Sequence, residues 1–155
     1  GEFVATIDSD GQFDLADAEP LLDALEKEGF DLVTGFRSRK LDTPFRVLAN
    51  HGLNWIVRLL FRVRLRDTNC ALKVARAETL RGLHLESRGW STPTEVCLRV
   101  HARGGRIGEV AVHHRERTSG ASKLHPFRTA WALLKFLVYL RIKIALHRAR
   151  ILIEP

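Results

Sequence analysis

The sequence predicts an α/β domain, and three observations carry that expectation. A short apolar, β-prone run from Phe3 to Ile7 stops at two carboxylates, Asp8 and Asp10, followed by Gly11 and Gln12. A helix with its buried stripe at Leu21, Leu22 and Leu25 comes next, and a second β-prone run, Phe30 to Gly35, completes a strand–helix–strand unit. Further on, Arg106 to Val112 alternates apolar and polar residues as a half-buried strand does.

The first strand ends on the residues most suggestive of chemistry. Alternate residues of a strand share a face, so Asp8 and Asp10 are expected to point the same way. Open α/β sheets place ligands at the C-terminal ends of their strands, where such a pair can hold a divalent cation. Carboxylate oxygens suit hard cations such as Mg2+ or Mn2+, and Mg2+ usually shares few protein ligands with substrate phosphates. The competing reading is plain: acidic residues closing a strand and entering a turn.

Asp14 to Ala18 reads as a connecting turn. The helix after it starts near Glu19 with Pro20 in its first turn, where the missing N–H costs nothing, and Gly29 ends it. The strand Phe30–Gly35 leaves through a basic loop, Phe36-Arg-Ser-Arg-Lys40. Phe45 to Phe61 is a second helix, in which Arg46, Asn50, Asn54, Arg58 and Arg62 fall four apart and so line one face. The lower half of that row reads as a solvated stripe. Arg46, at the helix N-terminus beside the basic loop, is the member best placed to meet an anion.

Arg66 to Val74 is a turn running into a strand, and Ala77 to Leu83 a short helical piece. Thr92-Pro-Thr-Glu95 opens another helix in the pattern of a capping box, with a hydroxyl at N-cap, proline at N1 and glutamate at N3, and Gly104-Gly105 stops it. That pattern gives Glu95 a complete structural role. The strand Arg106–Val112 runs into His113, His114 and a basic segment through Lys123, with Gly120 as its flexible point. Adjacent histidines on a strand face opposite sides, which speaks against a shared metal. From Pro126 onward the chain reads as helix. Its stretch Ala130–Leu140 is apolar nearly all round, interrupted by Lys135, and is too short to cross a bilayer, which needs about 20 residues. With one Trp, one Tyr and the basic end Arg141, Lys143, His147, Arg148 and Arg150, it fits a helix lying in a membrane interface. The alternative is a helix packed in the core or on a partner.

Composition narrows the class. The 155 residues suffice for one domain with a sizeable core, and 45% hydrophobic with 28% charged residues excludes a disordered chain. Cys70 and Cys97 stand far apart, which suggests no disulfide framework or zinc knuckle and makes a reducing compartment the default. A net charge of +7 and a pI near 10.1 favour anionic partners. The basic residues are scattered over loops and helix ends, unlike the concentrated, aromatic-bearing face of a nucleic-acid binder, so no nucleic acid is expected. The chain opens without Met, one or two residues before a strand, as a piece of a larger protein would.

Taken in order, five short motifs resemble the family-2 glycosyltransferases, specifically the polyprenyl-phosphate (dolichol-phosphate) mannose or glucose synthase group. Asp8-Ser-Asp10-Gly-Gln12 is similar to that family's metal-binding element. Gly35-Phe-Arg37-Ser-Arg resembles its Gly-Ser-Arg turn, with Phe36 for the usual serine. Arg46 lies where the family has a helix-starting arginine facing the acceptor phosphate, and Asn50 stands where a serine is common. Asp67-Thr-Asn-Cys-Ala-Leu-Lys73 matches a form with glycine at the fifth place. Arg117-Thr-Ser-Gly120-Ala-Ser122-Lys123 reproduces an Arg-x-x-Gly-x-Ser-Lys loop.

The resemblance implies a GT-A fold with a mixed sheet over residues 1–125, as the C-terminal portion of a catalytic domain lacking its nucleotide-binding half, and a membrane-interfacial amphipathic helix over 126–155. It implies Mg2+ or Mn2+ on Asp8, Asp10 and Gln12. Asp10, Arg117 and Lys123 take catalytic roles, and Arg37, Arg46, Asn50, Asp67, Glu95, Gly120 and Ser122 take substrate-binding ones. The expected reaction is inverting transfer of mannose or glucose from a GDP- or UDP-sugar to polyprenyl phosphate, by a peripheral protein on the cytoplasmic face of a membrane. A transferase of the same fold acting on a saccharide or glycolipid hydroxyl would need a carboxylate base, with Glu95 or Asp67 as candidates. A non-catalytic fragment and, as the least favoured, a basic nucleic-acid-binding module are the remaining readings.

Overall fold

The structure, a computed structural model, describes residues 1–37, 44–87, 89–115 and 126–149. Among these, four strands form one mixed sheet: β1 (Phe3–Thr6), β2 (Leu32–Arg37), β3 (Lys73–Arg76) and β4 (Ile107–Val112). Their order is β1-β3-β2-β4, with β3 antiparallel to both neighbours and β2 parallel to β4. The helices are α1 (Ala18–Glu28), α2 (Pro44–Phe61), α3 (Ala77–Leu80), α4 (Thr92–Ala102) and α5 (Pro126–Arg148), and a 3-10 turn, Leu15–Asp17, precedes α1.

Period-2 alternation divides the core between the two faces of the sheet. Val33, Leu72, Val74 and Val112 pack with Leu21 and Leu25 of α1. Leu32 and Ala75 face the other way, onto Leu53 and Val57 of α2, Leu98 and Val100 of α4, and Leu133, Leu137 and Leu140 of α5. Full burial of each such leucine contributes about 1.5–3 kcal/mol. Helix α1 ends as its sequence requires: Gly29 adopts φ 66 and its N–H caps Leu25 O.

Three expectations are corrected. Strand β1 stops at Thr6, so Asp8 and Asp10 ride on the turn beyond it and strand alternation does not orient them. The capping box at Thr92 does not form. Ser91 occupies the N-cap position without a side-chain bond, and the Glu95 carboxylate is engaged by a neighbouring loop. The lower half of the polar row on α2 is solvated at Arg58 and Arg62 but not at Asn54, which is buried like Asn50 because the segment after the helix folds back over them.

Candidate active site

The acidic turn is built locally and then tied across the domain. Gly11 takes φ 76, and Gln12 N–H donates to Asp10 Oδ1 at 3.2 Å, an Asx turn that fixes this carboxylate. Asp8 is exposed and Asp10 half-buried. Gln12 O accepts Arg115 N–H at 2.9 Å, while Gln12 Nε2 donates back to Arg115 O at 3.4 Å. Two residues on, the Arg115 guanidinium reaches Asp14 Oδ2 at 2.6 Å. His113 N–H donates to Asp17 Oδ2 at 3.0 Å, and His113 Nδ1 lies 2.9 Å from Asp17 Oδ1. The Ala16 N–H, and then Arg115, hold the Asp14 carboxyl below its ordinary value. Segment 12–17 is therefore zipped to 113–115, the exit from β4. Sequence reasoning missed this because the partners are about a hundred residues apart with no local signal.

A second polar cluster forms around Asp67. Its carboxylate, 1% exposed, receives Arg37 Nε at 2.7 Å and Arg37 Nη2 at 3.1 Å, with Asn50 Nδ2 at 3.4 Å. Asn54 Nδ2 donates to Arg66 O at 2.8 Å, and Asn54 Oδ1 accepts both Thr68 N–H and Thr68 Oγ1–H. From below, Lys73 Nζ, buried, donates to Thr34 Oγ1 at 2.7 Å and to Thr68 O at 3.3 Å. Glu109 Oε1 accepts the N–H groups of Arg66 and Asp67. Burial raises the Glu109 carboxyl further than those bonds lower it. Phe36, at the place of the usual serine, carries the Arg66 guanidinium 4.6 Å above its ring. The motif Asp67–Lys73 is thus a turn locked by α2, β2 and β4.

Glu95 stands apart from both clusters. It is fully buried and accepts the N–H groups of Glu86 and Ser87 and Arg99 Nε at 2.7 Å. Burial pushes its carboxyl up, but the bonds from Ser87, Arg99 and Glu86 outweigh that and hold it low.

The structure therefore brings Asp8, Asp10 and Gln12 onto one turn, and Arg37, Asn50 and Asp67 into one cluster. Arg117, Gly120, Ser122 and Lys123 lie outside the described residues, as does the side chain of Arg46. Among the described residues, no group of three or more His, Cys, Asp or Glu side chains gathers as a cation cage. Two carboxylates and an amide oxygen within five residues are a hard-donor set that suits Mg2+ or Mn2+ shared with water and bound phosphate.

No family model matches the chain. Curated relatives do. The dodecaprenyl-phosphate galacturonate synthase of Rhizobium johnstonii is 32% identical over 148 residues, which is 92% of this chain and 43% of the relative. An uncharacterized glycosyltransferase of Mycobacterium tuberculosis is 36% identical over 124 residues, 78% of this chain and 56% of the relative. The undecaprenyl-phosphate 4-deoxy-4-formamido-L-arabinose transferase of Yersinia pestis is 31% identical over 124 residues, 79% and 36%. The chain spans between 36% and 56% of the length of these relatives. In structure it resembles glucosyl-3-phosphoglycerate synthase from M. tuberculosis, solved with Mn2+ and UDP-glucose, with TM-score 0.65 and 23% identity over 88% of this chain and 49% of that one.

The sheet, its helices and this likeness define the class first: the α/β architecture of GT-A glycosyltransferases. In sequence the chain is similar to transferases that act on polyprenyl phosphates and to an uncharacterized glycosyltransferase.

Proposed function

We propose that the protein to which this chain belongs is an inverting glycosyltransferase that moves a hexose from a GDP- or UDP-sugar to a polyprenyl phosphate at a membrane surface. The observation that carries this reading is the reciprocal Gln12–Arg115 pairing. It sets the carboxylate turn against the residue from which the basic segment with Arg117 and Lys123 departs.

Asp8, Asp10 and Gln12 would hold Mg2+ or Mn2+, which when bound neutralises charge on a departing diphosphate. The residues around it have a different task. A phosphate monoester has a second pKa of about 6 and is largely anionic at neutral pH, so its oxygen needs no strong base to attack the anomeric carbon. It needs cations that hold two anionic reactants together, and Arg46, Arg117 and Lys123 suit that work. Arg37, with Asn50, fixes the turn that carries Asp67. Gly120 would let the basic segment close over the donor, with Ser122 as a substrate-binding hydroxyl.

Burial favours a phosphate acceptor over a hydroxyl one. Glu95 and Asp67, the candidate bases for a hydroxyl, are 0% and 1% exposed and engaged by Arg99 and Arg37. Placement at a membrane is supported by exposed apolar residues on two helices, Leu48, Trp55 and Leu59 of α2 and Trp131, Val138 and Ile142 of α5. Neither helix contains Asp or Glu. No described helix is long and apolar enough to cross a membrane.

The test supplies the full-length protein with labelled GDP- and UDP-sugars and polyprenyl phosphate in detergent with Mn2+. Label in the lipid fraction is expected, and the donor that delivers it names the sugar. Metal-dependent transfer to a saccharide instead of the lipid would overturn the proposed acceptor.

A further inference from the structure

A line of charged side chains runs from the interior of the domain to α5. Arg99 Nε meets the buried Glu95 at 2.7 Å, and Arg99 Nη2 reaches Glu86 Oε1 at 2.5 Å. Glu86 in turn accepts Lys143 Nζ at 2.7 Å and the Tyr139 hydroxyl at 2.6 Å. The N–H groups of Glu86 and Ser87 both donate down to Glu95, at 3.0 and 2.7 Å. The loop between α3 and α4 is thus clamped twice, from beneath by Glu95 and from α5 by Tyr139 and Lys143.

That loop has a second face. Its Leu83, Leu85 and Gly89 line a cavity of about 290 Å³ whose other walls include Ile7, Pro93 and Val96, and Asp8 of the acidic turn sits in the same lining. Apart from Asp8 and Lys73 the cavity is walled mostly by apolar groups, which fits it for a hydrocarbon portion of a ligand.

We propose that Tyr139 and Lys143 are positioning residues: acting through Glu86, they set where this apolar wall stands relative to Asp8, and so shape the place taken by the lipid part of the acceptor. The catalytic consequence rests on the transferase reading above. The physical reason is leverage. Its described residues form no helix or strand, and the groups that grip Glu86 and the N–H of Ser87 hold it, alongside Arg103 on Gly82 O and Thr92 on Ser87. A displacement of about 1 Å near reacting groups is enough to cost a large factor in rate or affinity.

The test uses full-length protein carrying Tyr139→Phe, Lys143→Met, both together, and Lys143→Arg, with Lys27→Met on the far surface of α1 as control. The double variant is expected to raise KM for polyprenyl phosphate about fivefold to tenfold, the worth of about one charge-assisted bond, with kcat within about twofold. Lys143→Arg is expected to keep KM near wild type. Hydrogen exchange at residues 83–89 should accelerate in the double variant, and this is read without any transfer. Unchanged exchange overturns the inference whether or not the wild type transfers sugar. An unchanged KM overturns it too, as does a loss of activity that only follows the melting temperature and that Lys143→Arg shares. A wild type that transfers no sugar while exchange at 83–89 accelerates in the double variant would fail the transferase reading and uphold the clamp.

Discussion

Arg37 and Asp67, thirty positions apart, meet through two bonds, Nε to Oδ2 at 2.7 Å and Nη2 to Oδ1 at 3.1 Å, at a site where the Asp67 side chain is 1% exposed. Removing one partner of a buried pair leaves an uncompensated charge, at a cost of about 3–5 kcal/mol. Arg37→Ala should lower the urea-unfolding free energy by about that amount. Arg37→Met with Asp67→Leu should recover more than half of it. Equal loss in the single and double variants would show that the pair does not matter as a pair.

The Glu86 carboxyl gives a pH signature. Burial pushes it up, but bonds from Lys143, Tyr139 and Arg99 outweigh that and hold it at about 2, below the ordinary 4.5. Glu95 is held low by the same kind of bonds. A depressed folded pKa adds stability that is present above the unfolded value and lost as pH falls toward the folded one. Unfolding free energy should therefore decline as pH drops from about 5 to 2, and Glu86→Gln should flatten that decline. Urea titrations at several pH values check this; parallel curves for the two proteins would contradict it.

Gly35 leaves no room for a side chain. A Cβ there would lie 2.9 Å from both Val112 methyls and 3.0 Å from Cys70 Sγ, all inside the sheet's α1 face. Gly35→Ala should destabilise by about 1–3 kcal/mol through overpacking, measured by urea unfolding. A neutral substitution would show that β2 and β4 can part at no cost.

Much of this was legible in the sequence where the signal is local. Pro20 and Gly29 bracket α1, the apolar pattern marks α2, and the alternation of 106–112 marks β4. The Asp8–Asp10 turn and the Asp67 motif stood out for the same reason. What was not legible depends on contacts between distant segments. Thr92-Pro-Thr-Glu95 satisfies the local rule for a capping box, yet two N–H groups of a loop and Arg99 claim Glu95 instead. Asn54, in the lower half of its row, looks solvated until the segment carrying Arg66 to Thr68 folds over it. Glu86, which joins three partners 13 to 57 positions away, leaves no trace in its neighbourhood.

The apolar residues left exposed on α2 and α5 repeat one spacing. Leu48, Trp55 and Leu59 sit seven and four apart, as do Trp131, Val138 and Ile142. The full-length protein should float with vesicles containing phosphatidylglycerol and not with phosphatidylcholine alone, and the binding should weaken as salt rises. Trp55→Ser with Trp131→Ser should release it. Flotation unchanged in that double variant would place the membrane contact elsewhere.

In the proposed reaction the carboxylate turn after β1 holds a cation that transfer requires. The direct measurement is sugar transfer to polyprenyl phosphate by the full-length protein and its Asp10→Ala variant, each stripped with chelator and then given Mn2+. Wild type should lose transfer on stripping and regain it with Mn2+. The variant should melt within a few degrees of wild type and fall at least about a hundredfold in rate, about 2.7 kcal/mol of barrier. Transfer that survives both the chelator and the Asp10→Ala substitution would contradict the claim.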